Sequence, residues 1–338
     1  MWRISLPPCN MIKKYALFFL LTAFAVLAKA QDAEFSQFYA NPLYLNPAMA
    51  GSTKCPRVNL NYRNQWPALP GTFITTSASF DQYVDLVQGG LGFMILNDKA
   101  GQGIINNTSI NGFYAYQFNI SREVAAKIGF QGTYVQKSTD FTGLILGDQI
   151  ETRVGVVKAT GETFADNVKG YADFSTGVMV YSSAFYMGAA FNHLTQPNES
   201  FYNKTSPLPL KITVHGGAVI PLGRDKKFTN TYISPGFMFQ TQGVFNQLNL
   251  GMYVGKGVLV FGTWYRTSVA KGESFLGSDS FILLLGVQQG IFKFGYSYDV
   301  TVNQLYNASA GSHELSLGMQ FECRPKKKKF RAIKCPSF

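Results

Sequence analysis

From Ile291 to Phe321 the chain alternates with a period of two. Phe292, Phe294, Tyr296 and Tyr298 interleave with Lys293, Gly295, Ser297 and Asp299. After a loop at Val300–Ser312, Leu315, Leu317, Met319 and Phe321 interleave with Glu314, Ser316, Gly318 and Gln320. Successive side chains of a strand point to opposite faces, so each segment has one apolar and one wet face. Together they read as a hairpin whose apolar face has no partner in the sequence. The same alternation recurs at Val124, Ala126, Ile128, Phe130 and at Leu248, Leu250, Met252. A lipid bilayer is the simplest cover for so many one-sided strands, because a closed barrel satisfies every backbone group within it.

Composition supports that reading. Only 14% of residues are charged, against roughly 25% in a soluble chain, while 15% are aromatic, with 18 Tyr and 29 Phe. After Ala30 no apolar run approaches the roughly 20 residues that a spanning helix needs. Low charge, many aromatic residues and no spanning helix favour a membrane β-barrel over a soluble β-sandwich.

The first 30 residues read as an export signal. Lys13 and Lys14 precede the apolar run Tyr15–Leu27, and Ala28-Lys29-Ala30 fits a small-x-small cleavage site, so the mature chain is expected to begin at Gln31. The net charge of +11 is concentrated at the two ends. The leader holds Arg3, Lys13, Lys14 and Lys29 and no acid. Beyond Phe321, Arg324, Lys326, Lys327, Lys328, Lys329, Arg331 and Lys334 face the single acid Glu322. The body between is close to neutral, so the basic balance belongs to a tail and is not a nucleic-acid footprint.

Four segments follow: a signal peptide at 1–30, an N-terminal plug or periplasmic segment at 31–56, a transmembrane barrel at 57–321 and a basic periplasmic tail at 322–338. The second is not a strand. Asn41-Pro42 and Asn46-Pro47 initiate turns, and its aromatic residues need burial, which places it at the barrel mouth or inside the lumen. Strands are expected at 57–64, 72–80, 89–97, 104–118, 122–135, 171–181, 184–193, 210–220, 230–240, 246–254, 257–265, 280–288, 291–299 and 313–321. The fold class is thus all-β, an outer-membrane barrel of about 14 antiparallel strands. Links after even strands are mostly short and links after odd strands often long, notably Gln136–Gly170 and Leu194–Pro209. That is the pattern of periplasmic turns and outer loops, and an even strand number puts both termini in the periplasm.

Closure brings the first and last strands together. A Cys55–Cys323 bridge would lock the seam, and a Cys55–Cys335 bridge would clip the tail to the barrel base. Both pairings remain open, with Cys323–Cys335 as a third. Recognisable chemistry is absent. His193, His215 and His313 show no metal-ligand spacing, and no nucleophile elbow, phosphate loop, catalytic group or cofactor motif is present. His313-Glu314 reads as a hydrogen-bonded pair at the rim. Lys127, Asp173 and Lys293 would line a polar channel or pair across a filled lumen. The tail, with Lys326, Lys327, Lys328, Lys329, Arg331 and Lys334, is suited to bind anionic lipid, lipopolysaccharide or a protein partner in the periplasm.

Five segments carry a resemblance: Phe35-Ser36-Gln37-Phe38-Tyr39 through Asn46-Pro47-Ala48-Met49-Ala50-Gly51, Tyr62-Arg63-Asn64-Gln65-Trp66, Asn97-Asp98-Lys99-Ala100-Gly101, Gly295-Tyr296-Ser297-Tyr298-Asp299, and Gly311-Ser312-His313-Glu314. In this order the chain resembles the PorP/SprF family of Bacteroidota outer-membrane proteins. The resemblance implies a non-enzymatic role in type IX secretion and gliding motility. It implies protein partners in two places: a secreted surface adhesin bearing a type B C-terminal domain, and periplasmic components of the machinery. A component that tethers the periplasmic ring is the other branch of the family. A passive solute channel is the alternative from another class.

Overall fold

The computed structural model describes residues 32–69, 71–101, 103–140, 149–151, 155–156, 167–201, 205–222, 231–268, 277–302 and 309–323. Fourteen strands form the wall: β1 Arg57–Gln65, β2 Phe73–Val84, β3 Gly89–Ala100, β4 Ile105–Asn119, β5 Ala125–Thr139, β6 Val168–Tyr181, β7 Phe185–Asn192, β8 Lys211–Ala218, β9 Thr231–Gln242, β10 Phe245–Lys256, β11 Leu259–Ser268, β12 Gly277–Gln289, β13 Phe292–Thr301 and β14 Ser312–Gln320. Each pairs antiparallel with its neighbours in sequence, and β1 closes on β14 from Arg57↔Gln320 to Gln65↔Ser312. Every expected strand is present. Ile220–Pro221 pairs with β9 as an addition to the wall, and Ile150–Glu151 with Gly155–Val156 forms a separate two-stranded sheet.

Burial is the inverse of that in a soluble protein. Phe130, Phe174, Met187, Leu285 and Phe292 stand more than half exposed on the outside. Ser77, Asp81, Lys127, His215, Arg266, Asp299 and Glu314 are buried inside. The apolar exterior and closed backbone ladder are those of a membrane-spanning barrel. Pro235, which has no N–H, sits where the β8–β9 ladder is interrupted between Gly217↔Gly236 and Ile220↔Ile233.

The two ends of the barrel differ. One, here the seam end, holds the start of β1 and the end of β14. The other holds the β5–β6 and β7–β8 connections. The alternation of link lengths lapses at β3–β4, whose link at the opposite end is no longer than that of β2–β3, and it inverts around β9. The β8–β9 link, at the seam end, is long, and the β9–β10 link at the opposite end is only Gly243 and Val244. The strand count is unaffected.

Residues 33–56 do not stay at the seam end. Phe35–Tyr39 and Pro42–Gly51 are buried almost throughout, inside the lumen. Three single turns shape the segment: Phe38–Ala40, Pro42–Leu45 and Pro47–Met49. Asn46 caps the last, its Oδ1 accepting from Ala48 N at 2.9 Å, and Pro47 supplies a pre-set φ at the first helical position. Asn41 does not cap; its Nδ2 donates outward to Ser77 Oγ of β2 at 2.8 Å. The expectation that both termini share one end holds for the strands. It fails for the plug, which carries the chain to the opposite end.

Candidate functional site

The site is the contact between this plug and the wall. Strand parity sends Arg63 of β1, Arg266 of β11, Asp299 of β13 and Glu314 of β14 into the lumen, where all four are buried. Arg63 spans the two acids, with Nη2 to Asp299 Oδ2 at 2.9 Å and Nη1 to Glu314 Oε2 at 3.1 Å. Arg266 Nη1 reaches the same Asp299 oxygen at 3.2 Å. Two cations and two anions balance, which a buried cluster needs if no charge is to be left uncompensated.

Ser36 sits at the centre of that cluster. Its hydroxyl donates to Asp299 Oδ2 at 2.5 Å and accepts from Arg63 Nη1 at 2.6 Å and Arg266 Nη2 at 2.7 Å. The backbone N–H groups of Ser36 and Gln37 donate to the two oxygens of Glu314 at 2.7 and 3.0 Å. The Gln37 side chain donates to Ser297 Oγ and to Glu314 O and accepts from Ser316 Oγ. The stretch of the plug that enters the cluster is therefore fixed by charge-assisted hydrogen bonds, the stronger kind. Beside it Glu34 accepts from Gln240 and, at 3.0 Å, from Gln247.

Further along, the contacts become apolar. Phe38 meets Trp264 edge-on at 4.8 Å, and Tyr39 lies against Tyr186, Tyr253 and Trp264. Leu45 and Met49 join the same cluster with Met179, Met238, Ile282 and Leu284. Leu43 and Ala50 pack with Met94, Phe113 and Ala115 on the other side. Asn46 Nδ2 then donates to the Val178 and Ala189 carbonyls and meets His215 Nε2 at 3.1 Å. At the seam end Lys127 Nζ donates to Ala50 O, and Asp81 accepts from Gly51 N while paired with Arg57.

Bare backbone in the wall makes room for the plug. A Cβ on Gly177 would lie 2.0 Å from Asn46 Oδ1, and one on Gly129 would lie 2.2 Å from Ala48 N. Only glycine permits that approach.

The candidate residues fall into three groups. Cys55 and Cys323 form a disulfide, with Cα atoms 4.8 Å apart across 268 residues of sequence. Cys335 and the tail cations Lys326, Lys327, Lys328, Lys329, Arg331 and Lys334 lie outside the described residues. The histidines serve three separate settings. His215 meets the plug, His193 Nδ1 lies 2.6 Å from Asp173 Oδ2, and His313 Nδ1 lies 2.8 Å from Tyr296 Oη. His313 and Glu314 are not a rim pair, because neighbours in a strand face opposite sides: His313 is on the lipid-facing side with Tyr296 and Tyr298, and Glu314 is inside. No group that could hold a metal ion occurs among the described residues.

Residue-type reasoning alone missed the cluster of Arg63, Arg266, Asp299 and Glu314. The available signal was charge at inward parity in strands of a chain with few charges. The resembling segments were a second signal, since Phe35–Tyr39, Tyr62–Trp66, Gly295–Asp299 and Gly311–Glu314 converge on this one site.

No curated protein matches the sequence. Among solved structures, the chain is similar to CymD, a monoaromatic hydrocarbon channel, at 10% identity over 87% of this chain and 95% of that chain, with a TM-score of 0.49. It is also similar to the KdgM porin, at 8% identity over 79% and 99% with a TM-score of 0.35. A triple mutant of the Rhodopseudomonas blastica porin matches at 6% identity over 79% and 99%, with a TM-score of 0.34. The barrel itself is established by the closed β1–β14 seam. The family model for the type IX secretion system membrane protein PorP/SprF matches residues 27–319, most of the chain, and the chain therefore belongs to the PorP/SprF family of type IX secretion system membrane proteins.

Proposed function

We propose that the chain is a sealed, non-catalytic docking platform in the outer membrane. In this reading residues 1–30 are a leader, the seam end with its basic tail faces the periplasm, and the long connections face outward. The outer face helps export or anchor a surface adhesin bearing a type B C-terminal domain. The periplasmic face meets the secretion and motility machinery, through Lys326–Lys329, Arg331 and Lys334. The same face would serve a component that tethers the periplasmic ring.

The observation that supports a platform over a conduit is the plug. A conduit needs a free path, and here the lumen is occupied by a segment hydrogen-bonded to the wall's buried charges and packed against its apolar side chains, as in plugged outer-membrane barrels. The passive-channel alternative loses ground for that reason. Part of the outer face is also ordered. Glu199 of the β7–β8 connection accepts from Lys137 at 2.9 Å and Tyr171 at 2.7 Å, which ties that connection down on β5 and β6. A preorganised surface loses less entropy on docking.

Deletion of Lys326–Phe338 tests the two-faced arrangement. The truncated chain is expected to reach the membrane and to lose co-purification of periplasmic machinery, with the adhesin's surface display falling in parallel. Undiminished recovery of those periplasmic proteins would remove the tail from the proposal. Normal adhesin display in cells lacking the whole chain would remove the docking role.

A further inference from the structure

The plug runs the height of the lumen in one direction. Its first wall contacts are with Gln240, Gln247, Arg63, Asp299 and Glu314. Each of those lies two residues from the end of its strand at the end opposite the seam. Asn41 meets Ser77, deeper along β2, and Asn46 meets Ala189 and His215 near the middle of their strands and Val178 towards the seam end of β6. Ala50 and Gly51 meet Lys127 and Asp81 towards the seam end, and the chain then enters β1 at Arg57. Ala33 and Glu34 are half-buried, at the mouth opposite the seam.

We infer that the plug is threaded up the lumen so that its amino-terminal residues, Ala33 and Glu34, open on the outer face, on the side of the membrane opposite the seam end where β14 leaves the barrel. The inference rests on the outer-membrane reading above, but on the course of the plug rather than on any partner. It carries a processing requirement. The contacts of Ser36 come from β1, β11, β13 and β14 at once, so they exist only in the closed barrel. Seating them requires Ala33 and Glu34 to reach the outer end. A leader still held in the inner membrane would keep Ala33 on the periplasmic side, so its removal must precede seating of the plug.

The test uses full-length chains carrying Cys335→Ser, in cells treated with a membrane-impermeant maleimide. Thr205→Cys in the β7–β8 connection and Ser183→Cys in the β6–β7 turn fix the barrel's orientation on their own. Thr205→Cys is expected to label on intact cells and Ser183→Cys only after permeabilisation. Ala33→Cys is expected to follow Thr205→Cys. A short epitope inserted between Gln31 and Asp32, read by antibody on intact cells, gives the same answer independently of thiol reactivity. Ala33→Cys and the epitope following Ser183→Cys would overturn the threading while leaving the barrel's orientation standing. Reversed labelling of Thr205→Cys and Ser183→Cys would instead overturn the orientation proposed above and this inference with it. An epitope-bearing chain that forms no barrel where the Thr205→Cys chain does would also count against it, since a displayed end tolerates a short insertion. Blocking cleavage with Ala30→Leu is expected to abolish the heat-modifiable folded form. An uncleaved chain that folds normally would overturn the processing requirement.

Discussion

Ser36 is a small residue holding together four large ones. Its hydroxyl shares one Asp299 oxygen with two guanidinium groups, and its backbone N–H holds Glu314 in place. Asp299→Asn removes one of two buried negative charges while both arginines stay. Breaking a buried pair in this way costs about 3–5 kcal/mol, because a charge is left without its counter-ion. The urea midpoint for unfolding in lipid vesicles should fall accordingly, and an unchanged midpoint would mean that the cluster does not hold the plug. Two glycines give a sharper comparison. Gly177→Ala drives a methyl into Asn46 and should cost about 1–3 kcal/mol, as overpacking does. Gly132→Ala, whose Cβ would meet only Phe174 at 3.9 Å, should be neutral or slightly stabilising. Equal effects of the two substitutions would show that the plug is not seated against β6.

Strands and plug differ in how far the sequence discloses them. A strand's face is set by local parity, so Phe292, Phe294 and Tyr296 on one side and Ser297 and Asp299 on the other can be read without knowing any partner. The inward charges Arg63, Asp299 and Glu314 are readable in the same way. Their convergence is not, because Ser36 and Glu314 are 278 residues apart and meet only when the barrel closes. The two Asn-Pro pairs announce turns but not their use: Asn46 caps its own turn, whereas Asn41 reaches the wall. The course of the plug was likewise hidden, since an even strand number fixes where β1 begins and says nothing about the residues before it. Cys55 and Cys323 were legible as neighbours through closure, and their preference for each other over Cys335 was not. Replacing both, Cys55→Ser with Cys323→Ser, should cost about 2–4 kcal/mol through the freer unfolded chain. The barrel should still form in detergent, because the β1–β14 ladder is complete without the bridge. Failure to form one would make the bridge a condition of closure.

The whole molecule has a filled interior, charged and polar near one mouth and apolar around Trp264, and an apolar exterior, so its stability depends on lipid outside and on the plug within. Purified mature chain should aggregate when detergent is withdrawn; a monodisperse species in plain buffer would contradict the membrane reading. The plug is the larger commitment, because it decides whether this barrel conducts or only docks. Deleting Glu34–Gly51 empties the lumen and leaves Arg63, Arg266, Asp299 and Glu314 facing water. Electrical conductance in planar lipid bilayers measures the difference directly. The intact chain should give no steady conductance, and the chain lacking Glu34–Gly51 should give open-pore currents wherever it inserts. Steady open-pore current through the intact chain would contradict the sealed platform.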